Sequence, residues 1–148
     1  MTVATNPDLA AVRREALRRR AQERLGKMDD VRDAVALHAA GRAQREIAET
    51  LHTTQPRVHR LLKAHEAGEA EVVTPEEVIL RAFVDGSSRK ALVETLSHWP
   101  YTFTEYAPEP FDGSKPGTWL QVATACTMGF LTEQEFEQIV EAVQPPTP

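Results

Sequence analysis

Apolar residues recur along the chain at the three-to-four-residue interval of amphipathic helices, which predicts a mainly α protein. The first expected helix covers residues 8–25: Asn6-Pro7-Asp8 supplies its start, strong helix formers fill it, and Gly26 is expected to stop it. Its apolar stripe of Leu9, Val12, Ala16 and Leu17 is thin, and Arg13, Arg14, Arg18, Arg19, Arg20 and Arg24 outnumber Glu15 and Glu23. Three short helices follow and share one apolar face. The first, at 30–40, starts from Asp29 or Asp30, places Val31, Ala34, Val35 and His38 on one side, and ends at Gly41. The next, at about 43–51, adds Ile47, Ala48 and Leu51; the third, at 55–66, starts from Thr54 and buries Val58 with Leu61 or Leu62.

Residues 67–73 have the composition of a linker. Beyond it, Thr74-Pro75-Glu76-Glu77 is a helix opening, with Thr74 as N-cap, Pro75 where its missing N–H costs nothing, and Glu77 placed to complete a capping box. That helix runs to Val84 with almost no polar face, so it must be buried on several sides. Ser87 or Ser88 opens another helix, closed by Pro100, with Leu92, Leu96 and Trp99 on one side. Residues 101–106 (YTFTEY) alternate as a short strand does, and Pro108, Pro110, Gly113, Pro116 and Gly117 mark an irregular stretch after it. Two helices complete the chain. One covers 117–128, with Trp119 and Cys126 on its apolar side; the other is opened by a Thr132/Glu135 capping box and buries Phe136, Ile139, Val140 and Val143. The tail, 144–148, is expected to be disordered.

Composition and charge divide this pattern into two parts. Residues 1–66 carry 13 Lys+Arg against 9 Asp+Glu (+4), and residues 67–148 carry 4 against 13 (−9), which together give the net −5. All nine aromatic residues lie at Phe83 or beyond, so the first part must build its core from aliphatic side chains and alanine. The expected organisation is a basic N-terminal helix (1–27), a three-helix unit (28–66), a linker (67–73) and an acidic helical domain (74–143) with at most one or two short strands. No stretch approaches the roughly 18 apolar residues that span a bilayer, and the first residues lack the charged-then-apolar pattern of a leader, so a cytoplasmic chain is expected. The single cysteine, Cys126, excludes an internal disulfide and a multi-cysteine metal site.

The segment QREIAETLHTTQPRVHRLLK, residues 44–63, resembles the helix-turn-helix of bacterial DNA-binding regulators, with Ile47-Ala48, Leu51, Thr54 and Val58 at that family's spacing. The likeness extends over residues 30–66 and no further. Two short helices that cross steeply need a small residue where they approach most closely, and Ala48 fits that place. The resemblance implies that the helix after Thr54 enters the major groove. Gln55 and Arg57 are then the first candidates for reading bases, because an amide pairs bidentately with adenine and a guanidinium with guanine. His59 and Arg60 follow on or beside that face. Gln44, Arg45, Thr54 and Lys63 are the candidates for phosphate contacts. Two positions depart from the family pattern: His52 stands where glycine is usual in the turn, and Thr53 where an aliphatic residue is usual. Histidine tolerates the left-handed conformation better than a β-branched residue, so the turn is expected to survive. The plainer alternative is two helices of a bundle with a basic face. Local charge favours the DNA reading, since residues 42–63 hold Arg42, Arg45, Arg57, Arg60 and Lys63 against Glu46 and Glu49.

No other catalytic or ligand motif is present. His52, His59 and His65 lack the spacing that sets two imidazoles on one metal, and neither metal, cofactor nor catalytic residue is expected. The acidic half is expected to sit away from the duplex or to meet a basic partner. Its layout resembles that of bacterial antitoxins, in which one part binds the operator of its own operon and the other masks a toxin. Phe83, Trp99, Tyr101, Phe103 and Trp119 are the candidate partner-binding residues. Two other readings compete: a small-molecule sensor lined by Trp99, Tyr101, Phe103 and Trp119, and an adaptor in recombination or DNA packaging. A homodimer on a palindromic operator is expected, because one helix-turn-helix buries only about 600–1,000 Å² on DNA.

Overall fold

The computed structural model describes residues 6–65 and 67–147, so the first five residues of the expected basic segment, Glu66 and the end of the tail lie outside it. The protein is mainly α, with eight helices and one two-stranded antiparallel sheet among the described residues. Contacts divide it into two compact units, one comprising Glu23–Val73 and the other residues up to Gln22 together with those from Thr74 onward. Among the described residues no helix is long and apolar enough to cross a membrane.

The expected stop at Gly26 is not made. A single helix, α1, runs over Leu9–Ala39, and the separate helix expected at 30–40 is its second half. Glycine inside a helix costs about 1 kcal/mol relative to alanine, a penalty outweighed where the flanking turns bury apolar residues on one side. Here Ala21, Leu25, Val31, Ala34 and Val35 are all buried. Asp30, expected as a cap, lies mid-helix and pairs with an arginine instead. α1 ends where the sequence predicts: Gly41, at φ 86°, donates to His38 O at 3.0 Å, and Arg42 N donates to Leu37 O at 3.0 Å. These two bonds close the helix in a Schellman turn.

Within Glu23–Val73, α2 (Gln44–Thr50) and α3 (Gln55–Ala64) pack on the second half of α1. Ala34, Ile47, Ala48 and Val58 form the core, with Leu37, Leu51, Leu61 and Leu62 around it. The expected linker is partly ordered: α4 (Ala67–Ala70) brings Ala70 against Val31 and Val35, and Arg32 Nε donates to Ala70 O at 2.8 Å.

In the other unit, α5 (Pro75–Asp85) packs on α6 (Arg89–Ser97) and on α7 (Trp119–Met128), and α8 (Glu133–Val143) packs on α6 and α7. The N-caps Thr74, Ser88 and Thr132 accept from Glu77 N, Ala91 N and Glu135 N, and the Thr132/Glu135 capping box is complete in both directions. The Glu77 carboxylate, 5% exposed, takes Arg81 at 2.9 Å. Arg89 grips Glu135 with two 2.8 Å bonds and donates to Phe130 O at 2.9 Å. The guanidinium holds the Glu135 carboxyl below its ordinary value.

The strand expected at 101–106 shortens to β1 (Glu105–Tyr106), which pairs with β2 (Ser114–Lys115). Residues 101–103 are held elsewhere. Thr102 N donates to Thr118 Oγ1 at 3.0 Å, Thr118 N donates to Thr102 Oγ1 at 2.9 Å, and Trp119 N donates to Thr102 O at 3.1 Å. Gly117 permits this crossing, since a Cβ there would fall on the backbone of Thr102 and Phe103. α6 ends at Ser97, so Trp99 lies beyond the helix that the sequence assigns to it.

Candidate functional site

The resemblance points to α2 and α3, which are joined by residues 51–54. His52 takes φ 55°, its N–H donates to Glu49 O at 3.3 Å, and Thr53 N donates to Ala48 O at 3.0 Å. The same two-bond closure that Gly41 makes on α1 is thus made here by histidine, at some cost in backbone strain. Thr54 is extended and its hydroxyl accepts from Arg57 N at 3.3 Å, which starts α3. Pro56 sits in the first turn, where no helical donor is lost.

Successive residues of α3 are rotated by about 100°, so Gln55, Pro56, His59, Arg60 and Lys63 fall on one arc of about 140°. All five are exposed, whereas Val58 is fully buried and Leu61 and Leu62 are half-buried on the inner side. Among the described residues, neither Arg60 nor Lys63 has a carboxylate partner. Arg57 is placed differently. It lies about 160° round the helix from both Gln55 and His59, is half-buried, and pairs with Asp30 of α1 at 2.8 Å. The two residues nominated first as base readers therefore face different ways.

Gln44, half-buried at the start of α2, lines an open groove of about 390 Å³ with His38, His59, Leu62 and Lys63. Arg45 is exposed and lies 3.5 Å from Glu49, and Arg42 lies 3.2 Å from Glu46. Exposed pairs of this kind contribute little to stability and exchange readily for another anion. The unit as a whole is not basic, having eight Lys+Arg against nine Asp+Glu over residues 23–73. Its cationic character is local: α3 carries Arg57, Arg60 and Lys63 and no carboxylate, whereas α2 carries Arg45 against Glu46 and Glu49.

The aromatic candidates are all half-buried, and four of them make ring contacts within their own unit. Phe83 meets Phe130 edge to face at 5.1 Å, Tyr101 meets Trp119 in the same way at 5.0 Å, and Trp119 stacks on Phe136 at 5.8 Å. Phe103 lies 6.5 Å from Trp119, and Trp99 is half-buried. Tyr101 donates to Leu96 O at 2.5 Å, and burial pushes its hydroxyl up to about 12. The aromatic residues left outside are Tyr106 and Phe111, each 70% exposed, which sequence reasoning does not nominate. Their signal is local: both lie beside carboxylates at the edge of, or within, the proline- and glycine-rich stretch.

Comparison with known proteins finds no match, whether to a family, a curated protein or a solved structure.

Proposed function

We propose that the chain is a sequence-specific DNA-binding transcriptional regulator, a repressor, that uses α2, the turn and α3 as a helix-turn-helix. The outer arc of α3 carries the reading: an amide, an imidazole, a guanidinium and an ammonium lie exposed on one side of a short helix whose other side is anchored by Val58. Such a helix fits the major groove and presents groups that pair with base edges. In this reading Gln55, His59 and Arg60 meet bases, while Gln44, Arg45, Thr54 and Lys63 meet phosphates. Arg57, tied to Asp30, sets the position of α3 rather than reading a base.

Two copies act on a palindromic operator, since one such module covers too little DNA for tight binding. The second unit binds protein, in the manner of an antitoxin. The internal packing of Tyr101 and Trp119 favours this over a sensor pocket, and the exposed Tyr106 and Phe111 supply contact area. Selection of bound fragments from random duplexes tests the proposal. It predicts two half-sites related by symmetry and centred about one helical turn, or a multiple of it, apart; recovery of no common site overturns it. On the selected duplex, Arg60→Ala or Gln55→Ala costs about 1–3 kcal/mol at one base position, whereas Lys63→Ala weakens all sequences alike and lowers the salt slope by about 1.

A further inference from the structure

The first turns of α1 carry an exposed apolar stripe. Leu9, Val12 and Ala16 share one face, roughly 120° round the helix from Leu17 and Ala21. Leu9 is 64% and Val12 48% exposed, and Arg13 and Arg19 flank the stripe. Among the described residues, neither arginine has a carboxylate partner. The hairpin of β1 and β2 has the opposite character: Tyr106 and Phe111 stand exposed among Glu105, Glu109 and Asp112, which have no cationic partner among the described residues. One surface is apolar with guanidinium borders, and the other is aromatic with three carboxylates around it against one lysine, Lys115, opposite Glu105.

We propose that the chain associates with a second copy of itself by seating the Leu9/Val12/Ala16 face of one copy on the Tyr106/Phe111 hairpin of the other. Aliphatic stripe and aromatic rings remove one another from water, while Arg13 and Arg19 meet Glu105, Glu109 and Asp112 and stack against the rings, as guanidinium groups do. Both surfaces belong to one chain, so a two-fold arrangement makes the contact twice and closes as a dimer. The proposal deepens the regulator reading, from which the need for two copies comes, by naming the surface that joins them.

The test is analytical ultracentrifugation of the full chain without DNA. The wild type is expected to sediment as a dimer, at twice 16.5 kDa. Tyr106→Ser with Phe111→Ser is expected to raise the dissociation constant by about tenfold or more, with the helical circular dichroism unchanged. Arg13→Glu with Arg19→Glu, and separately Glu109→Arg with Asp112→Arg, are each expected to give monomers. A mixture of these two charge-reversed proteins is expected to restore the dimer, because both contacts in the mixed pair again join opposite charges. A wild type that stays monomeric at every concentration, a dimer indifferent to these variants, or a mixture that fails to re-associate overturns the proposal. Since no DNA is present, a dimer that obeys these rules but selects no duplex overturns the regulator reading alone. A DNA-binding monomer overturns this surface alone.

Discussion

The unit of Glu23–Val73 and the one that begins again at Thr74 use side chains in opposite ways. In the first, Ala34, Ile47, Ala48 and Val58 fill a core of aliphatic residues that lets α2 approach α3 closely, and Val58, Leu61 and Leu62 of α3 turn inward. What remains on the outer arc of α3 is mostly polar, with Arg60 and Lys63 as its cations. In the second, large rings fill the space between helices, as with Phe83 on Phe130 and Tyr101 between Leu96 O and Trp119, and aromatic surface is left over on the hairpin. A small aliphatic core frees a helix face for a polar ligand; a larger aromatic one leaves apolar surface suited to another protein.

The sharpest way to break this contrast is in the small core. Ile47→Ala removes a fully buried side chain from a cluster with few others to close the gap, and is expected to cost about 2–5 kcal/mol. Urea unfolding measures it, and a loss below about 1 kcal/mol would show that α2 and α3 do not depend on that core. In the aromatic unit the corresponding weak point is a backbone crossing. Gly117→Ala places a methyl group on Thr102 and Phe103, with an expected loss of about 1–3 kcal/mol and a changed Trp119 fluorescence. Unaltered stability and emission would contradict the crossing.

The smallest effect is electrostatic. Because the Glu135 carboxyl is held below its ordinary value of 4.5, the Arg89 pair adds stability that is fully present above that value and lost as pH falls through the lower, folded one. Glu135→Gln is therefore expected to flatten the acid limb of a stability profile and to leave its slope near neutral pH unchanged. An identical acid limb in the variant would remove the pair from the account.

Local chemistry is legible in the sequence. Thr54, Thr74, Ser88 and Thr132 cap their helices as their spacing indicates, because a hydroxyl and the amide it accepts from lie three residues apart. Gly26 misleads because its fate depends on Leu25 and Val31 finding a core, which is decided by distant residues. Gln55, His59, Arg60 and Lys63 are readable as one face from their spacing. Arg57 is not: its partner, Asp30, lies 27 residues earlier, and only the fold brings the two together. The pairing of the aromatic residues is not legible for the same reason, since composition does not say which rings meet one another and which stay outside.

The claim that α3 meets DNA through its outer arc is tested most directly by salt-dependent fluorescence anisotropy on a selected duplex. Two variants are compared with the wild type: Arg60→Ala with Lys63→Ala, and Arg57→Ala. The first is expected to lower affinity at least about tenfold and to reduce the salt slope, with an unchanged melting temperature. Arg57→Ala is expected to lower the melting temperature through loss of its pair with Asp30 and to keep the salt slope. Full affinity and an unchanged slope after removal of Arg60 and Lys63 would contradict the account.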